Sequence, residues 1–220
     1  MSGDPNASPV PMPPDADAGP VVVRPTPPAP PPFEIPPLFG SYSFDGIEVH
    51  DPGLQPYLYL HPMYAMHTEG KLSGRPFMKS HMHVVERLAN HLMKGGKFTG
   101  KKSKAIKTIR LAFDSLAKSE QQNPLQLLVN AIENAAPREE VTRLQFGGIS
   151  VPRAVDAAPA RRVNVAIRNL AQGAIQASRK STKSIDACLA TEIGLAAKGD
   201  LTSFAVARKE EVERVAQSAR

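Results

Sequence analysis

From residue 80 onward the apolar residues recur at helical spacing, and this periodicity leaves few folds open. Val84, Val85, Leu88, Ala89 and Leu92 form a first stripe, at separations that place side chains on one face of a helix. Gly95 and Gly96 follow and supply its stop. Ala105, Ile109, Ala112, Phe113 and Leu116 form a second stripe. Asn123 before Pro124 is a cap followed by a first-turn proline. It opens a third stripe of Leu125, Leu128, Val129 and Ile132, which Pro137 ends. A fourth begins near Pro159 with Val163, Ala166, Ile167, Leu170 and Ala174. A fifth runs through Ile185, Cys188, Leu189 and Ala196 to Gly199, and a sixth uses Phe204, Arg208, Val212 and Val215. The predicted class is mainly α, a six-helix domain.

The period changes to two only between the third and fourth stripes. Val141–Phe146 and Ile149–Arg153 flank Gly147-Gly148, and a two-residue Gly-Gly turn supplies the positive φ values of a tight hairpin. That turn sets Phe146 opposite Ile149, Leu144 opposite Val151 and Thr142 opposite Arg153. A lone two-stranded ribbon is marginal in water, so this one is expected to protrude, over about 141–155, toward something outside its own sheet.

The N-terminal part cannot share this architecture. Fourteen of the 22 prolines fall within residues 1–37; proline removes a donor and fixes φ, so an extended, disordered tail is expected there. Residues 38–79 hold the aromatic segments Leu38–Phe44 and Tyr57–Leu60, interrupted by Gly40, Gly46, Pro52, Gly53, Pro56 and Pro62. They read as an irregular arm anchored by its aromatics. The expected division is therefore an extension at 1–37, an arm at 38–79 and a helical body at 80–220.

Charge divides at the same place. Residues 1–80 carry four basic side chains (Arg24, Lys71, Arg75 and Lys79) against eight acidic ones, whereas residues 81–220 carry 23 against 13. The modest total of +6 thus joins a negative preface to a strongly positive body. No stretch approaches the roughly 20 apolar residues of a membrane span, and no secretory leader pattern is expected at the N-terminus. The single cysteine, Cys188, excludes an internal disulfide framework and a cysteine-built zinc site.

Enzyme signals fail on inspection. Gly95–Lys102 matches the glycine and lysine positions of a phosphate-binding loop, but Lys102 stands where Ser or Thr would hold magnesium. The segment also follows a helix pattern instead of a strand. His81, His83 and His91 lack the spacing and companions of a metal site. Glu133, Glu139 and Glu140 have no titratable partner for acid–base work. Neither a cofactor, a metal nor a small-molecule substrate is expected.

The basic runs carry more information. Residues 79–110 contain nine Lys or Arg against Glu86 alone, and residues 138–183 contain nine against three acids. Such under-compensated runs favour a polyanion, with phosphates supplying most of the affinity. Aromatics are nearly absent from the runs, which argues against reading a strand by base stacking. Structured RNA recognised through shape and phosphate position fits better, and a wide spread of cations fits DNA readout by one recognition helix poorly.

Several segments then resemble a known family. Asn123-Pro124-Leu125-Gln126, Val129-Asn130-Ala131-Ile132-Glu133-Asn134, Pro137-Arg138-Glu139-Glu140, Ala158-Pro159-Ala160-Arg161-Arg162-Val163-Asn164 and Glu210-Glu211-Val212-Glu213-Arg214-Val215-Ala216 resemble small-subunit ribosomal protein seven. The resemblance covers about residues 38–220, and the arm and hairpin tip are similar to the archaeal version. It implies a non-enzymatic, cytoplasmic ribosomal protein that binds the 3′ major domain of small-subunit ribosomal RNA and nucleates assembly of the head. It further implies a hairpin near the exit-site tRNA and the messenger RNA path, and contact with small-subunit ribosomal protein eleven and other head proteins. The RNA-facing candidates are Lys79 at the head of the first run, then Lys94, Lys97, Lys101, Lys102 and Lys104. Arg138, Arg143, Arg153, Arg161, Arg162 and Arg168 complete the set. Gln145, Phe146, Gly147, Gly148 and Ile149 form the exit-site tip.

Overall fold

The computed structural model describes residues 37–220 except Tyr64, Ser73, Gly96, Lys97 and Lys180. The proline-rich extension and the candidate Lys97 therefore lie outside the described residues, apart from Pro37. Among the described residues the order is α1 (Val84–Leu92), α2 (Lys102–Glu120), α3 (Pro124–Ala135), β1 (Glu139–Phe146), β2 (Ile149–Asp156), α4 (Pro159–Ser178), α5 (Ile185–Ala197) and α6 (Phe204–Ser218). The class is the expected one, six helices and one antiparallel hairpin. No described helix is long and apolar enough to cross a membrane.

Local chemistry sets the helix starts. The Asn123 side-chain oxygen accepts from the Leu125 N–H at 3.0 Å, with Pro124 in the first turn. Ser203 caps α6. His83 caps α1 in a way the sequence does not announce: its Nδ1 accepts from the Val85 N–H at 3.2 Å, and the ring is fully buried. Imidazole thus supplies the acceptor that Ser or Asn usually provides.

Packing is organised around α5, which lies against α2, α3 and α4 and buries Cys188, Leu189, Ile193 and Ala196. The predicted stripes of α1 to α4 are buried throughout. Gly173 lets α4 pass close to α5, because a Cβ there would sit 2.8 Å from the Glu192 carboxyl carbon and 3.0 Å from the Phe204 Cβ. That buried carboxylate accepts from the Ser203 hydroxyl at 2.8 Å and the Ala205 N–H at 2.9 Å, joining α5 to the start of α6. The face of α6 differs from the expected one. Ala205, Val206 and Ala216 are buried, while Val215 and Arg208 point outward. Phe204, at the first position of α6, lies against Gly173 of α4.

The arm is irregular, with two short 3-10 turns, Gln55–Tyr57 and Met78–His81. Its deepest anchors are aliphatic: Leu38, Leu54, Leu58 and Met66 enter the same core as the helices. Its aromatics pack one layer further out. Phe39 and Tyr42 meet Phe113 edge-on with centroids 6.2 Å apart. The Tyr42 hydroxyl donates to Asp114 at 2.6 Å, and burial with that bond pushes the phenol up to about 12. Lacking a sheet, the arm needs side chains to satisfy its backbone. Gln126 of α3 both accepts from and donates to the Glu48 backbone at 2.9 Å. Glu133 accepts from the His50 and Asp51 N–H groups at 2.8 and 3.1 Å.

The hairpin register matches the expected pairs, Phe146 with Ile149, Leu144 with Val151 and Thr142 with Arg153. Gly147 and Gly148 both have positive φ, 54° and 89°. The strands run two to three residues further toward their base than the alternation suggests. There α6 holds them: Glu213 accepts from the Arg138 N–H at 2.8 Å, and Arg220 pairs with Glu139. Beyond that base the ribbon stands free, with Ile149 70% exposed.

Burial pushes the imidazoles of His83 and His91 down to about 4. In the unfolded chain each takes its proton near pH 6.5, so between pH 6.5 and 4 the unfolded state binds more protons. Stability is therefore complete above that window and falls as pH drops through it, by about 1.4 kcal/mol per pH unit for each histidine. His83→Asn, which keeps a capping oxygen, should remove roughly half of this slope in urea unfolding measured from pH 7 to 4.5; an unchanged slope would show that His83 does not drive it.

Candidate nucleic-acid interface

Two neighbouring segments and a third about 70 residues further along the chain meet at one groove of about 540 Å³. The 3-10 turn Met78–His81 supplies Lys79, the end of α1 supplies His91 and Lys94, and the first turns of α4 supply Arg161 and Arg168. Among the described residues no acidic side chain lines it. Arg161 and Arg168 lie seven residues apart on the outward face of α4, opposite its buried stripe.

Arg87 forms the floor. It is only 4% exposed and donates to the Tyr57 carbonyl at 2.8 Å and to the Asn164 side-chain oxygen at 3.0 Å. Both partners are neutral, and among the described residues no carboxylate pairs with it. Burial pushes its guanidinium down to about 10, which leaves it charged at neutral pH. A buried cation with neutral partners beneath a rim of Lys and Arg gives the groove a positive potential. His91 registers the same field. Burial lowers its pKa first, and Lys94, Lys79, Arg87 and Arg168 each lower it further.

A second cluster opens α2. Lys101 is its N-cap residue and Lys102 and Lys104 lie in its first turn, where the helix dipole disfavours cations. Lys101 is exposed, and the Lys104 ammonium lies 5.1 Å from the Phe98 ring centroid. The preceding segment leaves α1 and not a strand, so the phosphate-loop pattern of Gly95–Lys102 lacks the setting that an NTPase needs. The hairpin presents Arg143 and Arg153 in adjacent register pairs, hence on opposite faces, both exposed. Arg138 is exposed at its base.

Two candidates turn inward. Lys102 pairs with Glu86, which is 1% exposed and also accepts from the Thr68 N–H at 3.0 Å and hydroxyl at 3.1 Å. Burial pushes this carboxyl upward, but the bonds from Lys102 and Thr68 outweigh it and hold it below its ordinary range. Arg162 reaches Asp51 at 2.9 Å and ties the arm to α4. Burial raises the Asp51 carboxyl, and the Gly53 N–H together with Arg162 brings it below its ordinary value. Arg161, 65% exposed, keeps a bond of 2.5 Å to Glu140. Sequence reasoning missed Arg87. Its only signal is a charged pair, Glu86-Arg87, inside a stripe that is otherwise apolar.

The family model for ribosomal protein S7p/S5e matches residues 61–220. The chain belongs to that family. It is also 56% identical over 183 residues to the small ribosomal subunit protein uS7 of Thermoplasma volcanium, which covers 83% of this chain and all of that protein. The proteins of the same name from Archaeoglobus fulgidus and Picrophilus torridus are 50% and 48% identical over 183 residues, covering 83% of this chain and 94% and 98% of their own lengths. This S7p/S5e protein is thus of the archaeal type. Its matched region contains the groove cations, the α2 cluster and the whole hairpin.

Lys102→Ala should leave the Glu86 carboxylate buried and unpaired, lowering stability by about 3 kcal/mol in urea unfolding. Unchanged stability would return Lys102 to the free cations of the α2 cluster.

Proposed function

We propose that this chain, by its family a structural protein of the small ribosomal subunit, binds the 3′ major domain of small-subunit ribosomal RNA through the groove and the start of α2. The observation that carries this reading is Arg87, a buried cation with neutral partners beneath Lys79, Lys94, Arg161 and Arg168. Phosphates from two strands would complete it. The division into an extension at 1–37, an arm at 38–79 and an RNA-binding body at 80–220 follows the same logic, with the arm lending Lys79 to the body's surface. Arg138, Arg143 and Arg153 extend the contact along the hairpin, while Lys102 and Arg162 support it from within.

Binding several RNA helices at once is how such a protein would nucleate the subunit head. The free hairpin, with Gln145 to Ile149 at its end, would reach the exit-site tRNA and the departing messenger RNA. Small-subunit ribosomal protein eleven is the neighbour through which we assign its contact with the platform. The protein works on the cytoplasmic ribosome, and its role is positional and not catalytic, which agrees with relatives that are named as subunit proteins.

Two measurements test the division of labour. Lys94→Ala and Arg168→Ala should each weaken binding to a 3′ major domain transcript and lower the slope of log affinity against log salt by about one. Unchanged affinity and slope in both would remove the groove from the interface. Deleting residues 144–151 should leave binding of that transcript within about twofold while lowering tRNA occupancy of the exit site in reconstituted subunits; loss of transcript binding would contradict the separation.

A further inference from the structure

One aromatic side chain stands on this groove without a ring partner among the described residues. Phe77 lines it and is 81% exposed. Its backbone lies in the left-handed region at φ 62°, a conformation that bulky residues rarely adopt. The residue is held there: its carbonyl accepts from both the Ser80 hydroxyl at 2.7 Å and the Ser80 N–H at 3.1 Å, as the cap of the turn that also carries Lys79. An exposed ring beside a basic groove, on a backbone held where glycine would sit with less strain, is placed to meet something from outside.

We infer that Phe77 is a stacking platform for one unpaired RNA base, whose flanking phosphates lie on Lys79 and the α4 arginines. This rests on the RNA-binding reading and deepens it, from phosphate contacts alone to recognition of a nucleotide outside a duplex. A nucleobase is favoured over an apolar protein surface because the groove beside the ring is lined by Lys79, Lys94, Arg161 and Arg168 and, among the described residues, by no carboxylate. Cations bring a phosphodiester chain to the ring, and every base then offers a π face to it. A bulge or loop nucleotide is the fitting source, since the bases of an intact A-form helix are stacked away from side chains. The basic runs of the sequence contain almost no aromatics; the arm brings this one to them.

The test compares full-length wild type with Phe77→Ala, Phe77→Trp and Lys79→Ala on a 3′ major domain transcript over a range of salt. Phe77→Ala should bind about 5- to 100-fold more weakly with the salt slope of wild type, because no phosphate contact is lost. Phe77→Trp should retain wild-type affinity. Lys79→Ala should lower the slope by about one. The ring is exposed, so Phe77→Ala should melt at the wild-type temperature and its binding loss be free of unfolding. Photocrosslinking through p-benzoylphenylalanine at position 77 should map to an unpaired nucleotide. Equal affinity of Phe77→Ala and wild type, or a crosslink confined to duplex, would overturn the inference while leaving the phosphate groove intact. Failure of the wild-type chain to bind would overturn the RNA reading and this inference with it.

Discussion

The guanidinium of Arg87 is where the arm, α1 and α4 are made to agree. Its two hydrogen bonds run to the arm's Tyr57 carbonyl and to Asn164 of α4, so shifting any of the three segments leaves a buried charge without donors satisfied. Such a group is costly to orphan. The groove exists because these three segments are locked around it, and it is positive because, among the described residues, its lining holds Lys79, Arg87, Lys94, Arg161 and Arg168 and no carboxylate, with only Arg161 paired to a neighbouring acid, Glu140.

Around this floor the ion pairs divide into two kinds. Glu86 with Lys102 and Asp51 with Arg162 are largely sheltered and hold segments together. Arg161 with Glu140 is open on the arginine side, 65% exposed against 17% for the carboxylate, so its guanidinium still faces solvent. Two adjacent arginines, Arg161 and Arg162, thus face different tasks. One residue of helix separates their directions by about 100°, enough to send the first to solvent and the second to the arm.

Much of the fold was legible because it rests on local rules. The helices follow from apolar spacing, and the Gly147-Gly148 turn determines the hairpin register before any tertiary contact is known. The α6 face was misjudged because Val212 and Val215 outrank alanine in hydrophobicity, whereas the buried positions are Ala205, Val206 and Ala216. The arm's anchors were misjudged for a related reason: Leu54 and Leu58 sit in a segment without period, and only depth distinguishes them from Tyr42 or Phe39. Within the site, Lys79, Lys94, Arg161 and Arg168 were all named from charge runs. Charge runs cannot separate them from Lys102 and Arg162, since an inward and an outward cation look alike until their neighbours are known.

By itself the sequence determined the class, the helix and hairpin boundaries to within a few residues, and the polyanionic nature of the partner. All three depend on residues close together in the chain or on net charge. Only the tertiary structure decided which cations converge, which are spent on Asp51 and Glu86, and that Phe77 stands beside the groove. Those outcomes depend on pairing residues such as Arg87 with Asn164 or Asp51 with Arg162, far apart in the chain, and the closing of such long loops leaves no periodic trace in the sequence.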